Sequence, residues 1–241
     1  MSGPWVLIIL VLFSSIPVLA VYIWFRIAKY QINIVIFLFA LLAGAAAFFP
    51  ALILQNLLVF SSSGGGRWAL FYHFFIRIAF TEELSRLLVL FIFFLISGFA
   101  KPMGNSPADR DSGQTISYNT VKKGTAIGLV AGLGFALLES AVYGAVDTNV
   151  ILLRAFTAAP LHGACGSRIG AAAVLFRSNF PQAFLRIVTA TAIHGIYNLM
   201  VIRPGISSIA AVLIALSAFV TVILTIRGGW SSNENPANTP S

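Results

Sequence analysis

Apolar residues run in blocks of roughly 20 along this chain, and polar residues gather between the blocks instead of alternating with them. Blocks of that length suit helices crossing a hydrocarbon core of about 30 Å, since each helical residue advances the chain by about 1.5 Å. Seven such segments are predicted, at about 5–25, 32–59, 68–99, 124–144, 155–176, 183–202 and 206–226. Residues 61–67 (Ser-Ser-Ser-Gly-Gly-Gly-Arg) read as a flexible connector. Residues 101–120, with Pro102, Gly104, Pro107 and Gly113, form the one long polar loop, and residues 228–241 read as a disordered polar tail. The pattern predicts an all-α, polytopic transmembrane bundle of about seven helices in a single domain over residues 1–227, without a soluble domain or internal repeat.

Composition sharpens that picture. Of 241 residues, 59% are hydrophobic and 9% charged, against about 25% charged in soluble domains. So few charges cannot cover a water-facing globule, which excludes a soluble enzyme, a disordered chain and a coiled coil. The net charge of +8 would suggest nucleic-acid binding in a soluble protein, but most Lys and Arg residues stand at the ends of the apolar blocks. On a seven-helix path, Arg26, Lys29, Lys101, Arg110, Lys122, Lys123, Arg177, Arg186 and Arg227 fall on one side and Arg67, Arg154 and Arg203 on the other. The positive-inside rule then puts the N-terminus outside and the tail in the cytoplasm, with 68–99 as one continuous helix. No basic residue precedes the first block, so that block is expected to be retained. The single cysteine, Cys165, rules out an internal disulfide framework and a cysteine-rich metal cluster.

Polar residues inside the blocks carry the chemistry. Of seven acidic residues, Glu82, Glu83 and Glu139 lie within apolar segments, as do His162 and His194; Asp109, Asp111 and Asp147 fall in loops. Ionisable groups at membrane depth are costly and normally face the bundle interior. In the third segment His73, Arg77, Thr81 and Ser85 recur every four residues, giving one polar helical stripe beside Glu82, Glu83 and Arg86. Arg86 is within reach of both glutamates, and a purely structural ion pair is the competing reading. The i,i+4 spacing favours Glu82 as its partner, which leaves Glu83 the less neutralised carboxylate and the expected general base. In the fourth segment Gly124, Gly128 and Gly132 form a ridge that admits a close neighbour and delivers an unpaired Glu139 to the interface. The fifth carries His162 after Pro160, which is expected to bend its helix. The sixth places His194 and Asn198 on one face. Counting depth at about 1.5 Å per residue puts the glutamates, histidines and Asn198 together in the outer half of the membrane.

The ordered elements E-E-x-x-R (Glu82, Glu83, Arg86), F-x-x-x-E (Phe135, Glu139), P-x-H (Pro160, His162) and H-x-x-x-N (His194, Asn198) resemble the PrsW family of intramembrane proteases, within the group that includes the type II CAAX prenyl endopeptidases. Glu139 stands where the CAAX enzymes carry histidine, which points to the PrsW branch. The resemblance covers about residues 78–200. It implies an endopeptidase in a prokaryotic plasma membrane that acts on membrane-anchored proteins near their extracytoplasmic side, with Glu82, Glu83, Glu139, His162, His194 and Asn198 as site residues and Arg86 in support.

The residue types suffice for peptide hydrolysis. Glu82 or Glu83, with Glu139 and His162, can activate water directly or through a divalent metal, and His194 with Asn198 can stabilise the oxyanion. A metal site of His162, His194 and Glu139 or Glu83 fits catalytic zinc in ligand type, although no H-E-x-x-H is present. Two alternatives use the same buried groups without hydrolysis: a non-catalytic scaffold related to the γ-secretase scaffold subunit, and a proton-coupled transporter. Partners are the bilayer and a protein substrate, with no nucleic acid.

Overall fold

Every regular element among the described residues is helical, as the unbroken apolar blocks require. The computed structural model describes residues 4–30, 32–59, 66–98, 118–146, 154, 156–202 and 205–228. The connector at 61–65, the polar loop over 101–117, the tail from 229, and Asp109, Asp111, Asp147 and Arg203 lie outside them. The elements are α1 (Pro4–Ile27), α2 (Ile34–Ala46), α3 (Phe48–Leu57), α4 (Arg67–Phe71), a π-helix π1 (Tyr72–Phe80), α5 (Thr81–Ile96), α6 (Tyr118–Val146), α7 (Ala158–Leu175), α8 (Phe180–Val201) and α9 (Ile206–Gly228).

Two predicted segments are helical but not uniform. The second breaks at Ala47 into α2 and α3, because Pro50 has no N–H to continue the α2 ladder back to Ala46. The third is continuous from Arg67 to Ile96, yet Tyr72–Phe80 winds as a π-helix. Thr81 closes that stretch by donating from Oγ1 to the carbonyls of Arg77 at 2.7 Å and Ile78 at 2.9 Å. The expected bend at Pro160 is not needed: α7 begins at Ala158, so Pro160 sits in its first turn, where a missing N–H costs no helical bond. By length and hydropathy, four stretches can each cross a bilayer alone: Ile34–Leu57, Asn119–Tyr143, Phe180–Val201 and Ile206–Arg227. The protein is an integral membrane helical bundle.

Its core is the α6–α7 pair, where almost every side chain from Gly124 to Phe135 and from Leu161 to Leu175 is buried. Glycine makes the pair possible. A Cβ on Gly128 would lie 2.7 Å from Gly170 Cα and still closer to the Gly166 carbonyl, and one on Gly166 would lie 2.7 Å from Gly132 Cα. The two backbones therefore touch directly, with Gly132 against the backbone of His162. Gly44 against Ala131 and Gly134 against Leu41 draw α2 equally close to α6. The remaining helices surround this centre and turn apolar residues outward, among them Leu42 (62% exposed), Leu185 (64%) and Leu213 (61%). Outward leucine is the expected state where hydrocarbon is the solvent.

Candidate active site

The polar residues of α5, α6, α7 and α8 meet in one buried cluster. Close backbone packing sets their positions: the Gly132–His162 contact fixes α7 beside the end of α6 that carries Glu139, and Gly195 lets α8 approach the Phe75 ring of π1, which brings His194 to the start of α5. Glu82, Glu83, Arg86, Glu139, His162 and His194 are all buried.

Two linked chains of contacts run through the cluster. In the first, Glu83 Oε1 lies 2.8 Å from Arg86 Nη2 and 2.8 Å from His194 Nδ1. In the second, Glu139 Oε2 lies 2.8 Å from His162 Nε2 and is also ion-paired with Arg154. Arg86 joins them, with Nη2 3.3 Å from His162 Nδ1 and its guanidinium 4.6 Å from the centre of the Phe135 ring. The two imidazoles meet edge to face, with centroids 4.9 Å apart.

Gln55 Nε2 donates to Glu82 Oε1 at 3.1 Å. Like Glu83 Oε2, the buried Glu82 Oε2 has no hydrogen-bond partner among the described residues. That oxygen is 3.6 Å from Arg86 Nη2 and 3.7 Å from His194 Nε2. The pairing of Arg86 thus differs from the i,i+4 expectation, because Glu83 is the nearer partner. The i,i+4 preference belongs to exposed helix faces; here the guanidinium is fully buried and is positioned by contacts to α5, α6 and α7 together.

Sequence reasoning missed three participants. Arg154 binds Glu139, approaches Ser140 Oγ at 3.4 Å through Nε, and stacks 4.4 Å above the Tyr143 ring. Glu139 is therefore paired, contrary to the expectation from its own segment. Gln55 fixes Glu82 from α3. Tyr197 donates to Thr157 Oγ1 at 2.9 Å, tying α8 to the start of α7 beside His162. Asn198, half-buried one turn beyond His194, has no hydrogen bond to the cluster among the described residues. His73 lies in π1, with Nδ1 3.5 Å from Arg77 Nη1.

Whether a metal ion fits can be judged from these donors. Glu82, His162 and His194 each offer a ligand atom, all within 4.8 Å of one another. The 3.7 Å between Glu82 Oε2 and His194 Nε2 is too long for a hydrogen bond and close to the roughly 3.3 Å that separates two donors on one tetrahedral zinc. His194 donates from Nδ1 to Glu83, which leaves the Nε2 lone pair available, the arrangement common for metal-bound histidine. Three carboxylates face two guanidiniums here, so with neutral imidazoles the cluster carries one excess negative charge. The donor set and the charge both suit a cation.

These features define an integral membrane protein with a buried glutamate–histidine–arginine cluster enclosed by its helices. The family model described as PrsW family intramembrane metalloprotease matches residues 33–226. The chain belongs to that family and is an intramembrane protease. Comparison with curated proteins and with solved structures finds no match.

Proposed function

We propose that the chain hydrolyses peptide bonds of membrane-anchored proteins near their extracytoplasmic side, in a prokaryotic plasma membrane, using Glu139 as general base beside a cation held by Glu82, His162 and His194. The observation that carries this reading is the buried, unpartnered Oε2 of Glu82 facing His194 Nε2. An unsatisfied buried carboxylate oxygen costs about 1–3 kcal/mol or more, so it calls for a partner. Zinc matches the ligand types, and when bound such an ion polarises the scissile carbonyl and acidifies water.

The chain's own residues divide the remaining work. Of the three glutamates in the cluster Glu139 is the most accessible, with its side chain 11% exposed against 4% for Glu82 and 0% for Glu83. Its Oε1 has no hydrogen bond among the described residues, while Oε2 is held by Arg154 and His162. It takes a proton from water as the water oxygen bonds to the carbonyl carbon, then passes that proton to the leaving nitrogen as the C–N bond breaks. Asn198, with its amide uncommitted, donates to the developing oxyanion. Glu83 is assigned to holding His194, because its Oε1 is already engaged by both Arg86 and His194 and the side chain is sealed from solvent. The outer-side cut rests on the depth of the polar residues and the distribution of Lys and Arg.

The test uses the purified full chain and a membrane-anchored substrate. Metal content by mass spectrometry should be close to one ion per chain and fall in Glu82→Gln. Stripping the ion should stop cleavage, and zinc should restore it at sites mapped to the extracytoplasmic end of the substrate. Undiminished cleavage by metal-free enzyme would overturn the metal assignment, and cytoplasmic-side cleavage sites would overturn the side.

A further inference from the structure

A second polar site lies away from the glutamate–histidine cluster. Arg168 of α7 and Arg186 of α8, with Thr125, Ser167, Thr221, Val222 and Thr225, line a cavity of about 150 Å³ among α6, α7, α8 and α9. Measured along the helices, Arg168 is six residues from His162 and Arg186 eight from His194, so the cavity lies roughly 9–12 Å from that cluster toward the other end of the bundle.

Its electrostatics are incomplete. Arg168 donates from Nη1 to the Ala164 carbonyl at 2.8 Å and from Nη2 to Thr221 Oγ1 at 3.2 Å, which uses two of the five N–H donors of a guanidinium. Arg186 has no hydrogen bond or ion pair among the described residues, and no described carboxylate faces either arginine. Two half-buried cations on facing helices repel one another and need an anion between them. The surrounding surface is apolar: Leu185 and Leu224, next to Arg186 and Thr225 in sequence, are 64% and 60% exposed. A polar, doubly cationic recess bordered by an apolar outer face matches an anionic phospholipid, whose phosphate would enter the cavity while its acyl chains lie along α8 and α9.

We infer that Arg168 and Arg186 form a binding site for the phosphate of an anionic phospholipid. Guanidinium suits this ligand because its planar fork can engage two phosphate oxygens at once. A zwitterionic lipid is disfavoured, since its ammonium would enter the field of both arginines.

The full chain in detergent, examined by native mass spectrometry and thermal melting with added phosphatidylglycerol, phosphatidylcholine or inorganic phosphate, tests the site. Wild type should retain one phosphatidylglycerol per chain and melt at higher temperature with it, but not with phosphatidylcholine. Arg168→Gln and Arg186→Gln should each weaken retention by about tenfold or more, as expected for loss of a charge-assisted contact. Thr225→Val, which keeps both charges, serves if either arginine variant fails to fold and should weaken retention by a smaller factor. Equal retention by wild type and variants, or equal retention of the two lipids, would overturn the inference. Stabilisation by inorganic phosphate to the same extent would assign the site to a free ion instead. Lipid retention that emerges only in Asp109→Asn/Asp111→Asn would show that loop carboxylates are the native counter-ions and would equally overturn it.

Discussion

Glu83 Oε1 and His194 Nδ1 lie 2.8 Å apart although 111 residues separate them in sequence. This one bond fixes which imidazole nitrogen carries the proton, turns the other toward Glu82, and locks α5 to α8 at the centre of the site. Glu83→Gln should retain the helical fold but lose about 10–100-fold in metal affinity, the usual cost of removing such a support. Titration with a competing chelator, alongside circular dichroism, measures both. Wild-type metal affinity in Glu83→Gln would remove its positioning role.

The glycine contacts between α6 and α7 hold His162 and Glu139 in register. A side chain at Gly128 would strike the Gly166 carbonyl and Gly170 Cα, both backbone atoms that cannot rotate away. Gly128→Ala should therefore destabilise the bundle by about 1–3 kcal/mol, the range for overpacking, and lower activity with it. Gly66, where a Cβ would meet nothing within 4 Å, supplies the control: Gly66→Ala should melt with the wild type. Thermal melting in one detergent compares them.

Arg154 anchors the proposed base. Arg154→Gln leaves Glu139 with only its His162 bond and should lower kcat by tenfold or more, by analogy with the cost of about 3–5 kcal/mol for stripping a buried charge of its partner. Arg154→Lys keeps the charge but not the Nε contact to Ser140 or the flat stacking on Tyr143, so it should recover part of the loss. Initial rates on one substrate, separated into kcat and KM, check the order wild type, Lys, Gln.

The helical architecture was legible because a bilayer forces long apolar runs, and the predicted ends of most segments fall within a few residues of those observed. The α6 helix is the exception, starting at Tyr118, because Lys122 and Lys123 read as loop residues when hydropathy alone sets the boundary. The glycine ridge was visible as spacing, but its partner glycines, Gly166 and Gly170, gain their meaning only once α7 is laid against α6. Arg154 was hidden because a lone arginine near a membrane surface reads as a topology signal; the clue was Glu139 itself, a buried acid whose own helix carries cations only at its far end, at Lys122 and Lys123. Gln55 offered a similar clue, a carboxamide within an apolar run. The π-helix left no mark in the sequence. Its aromatic residues, Tyr72 to Phe75, fit an α-helix equally well.

The proposal that Glu139 activates water is tested most directly by the turnover of Glu139→Gln on a purified membrane-anchored substrate, with metal content and melting temperature measured on the same preparation. The amide keeps the shape of the carboxylate and can still contact Arg154 through its oxygen, but it cannot accept the proton from water. Cleavage should fall by about 10²–10⁴-fold, the usual contribution of a general base, while fold and metal persist. A folded, metal-loaded Glu139→Gln that cleaves at the wild-type rate would contradict the account.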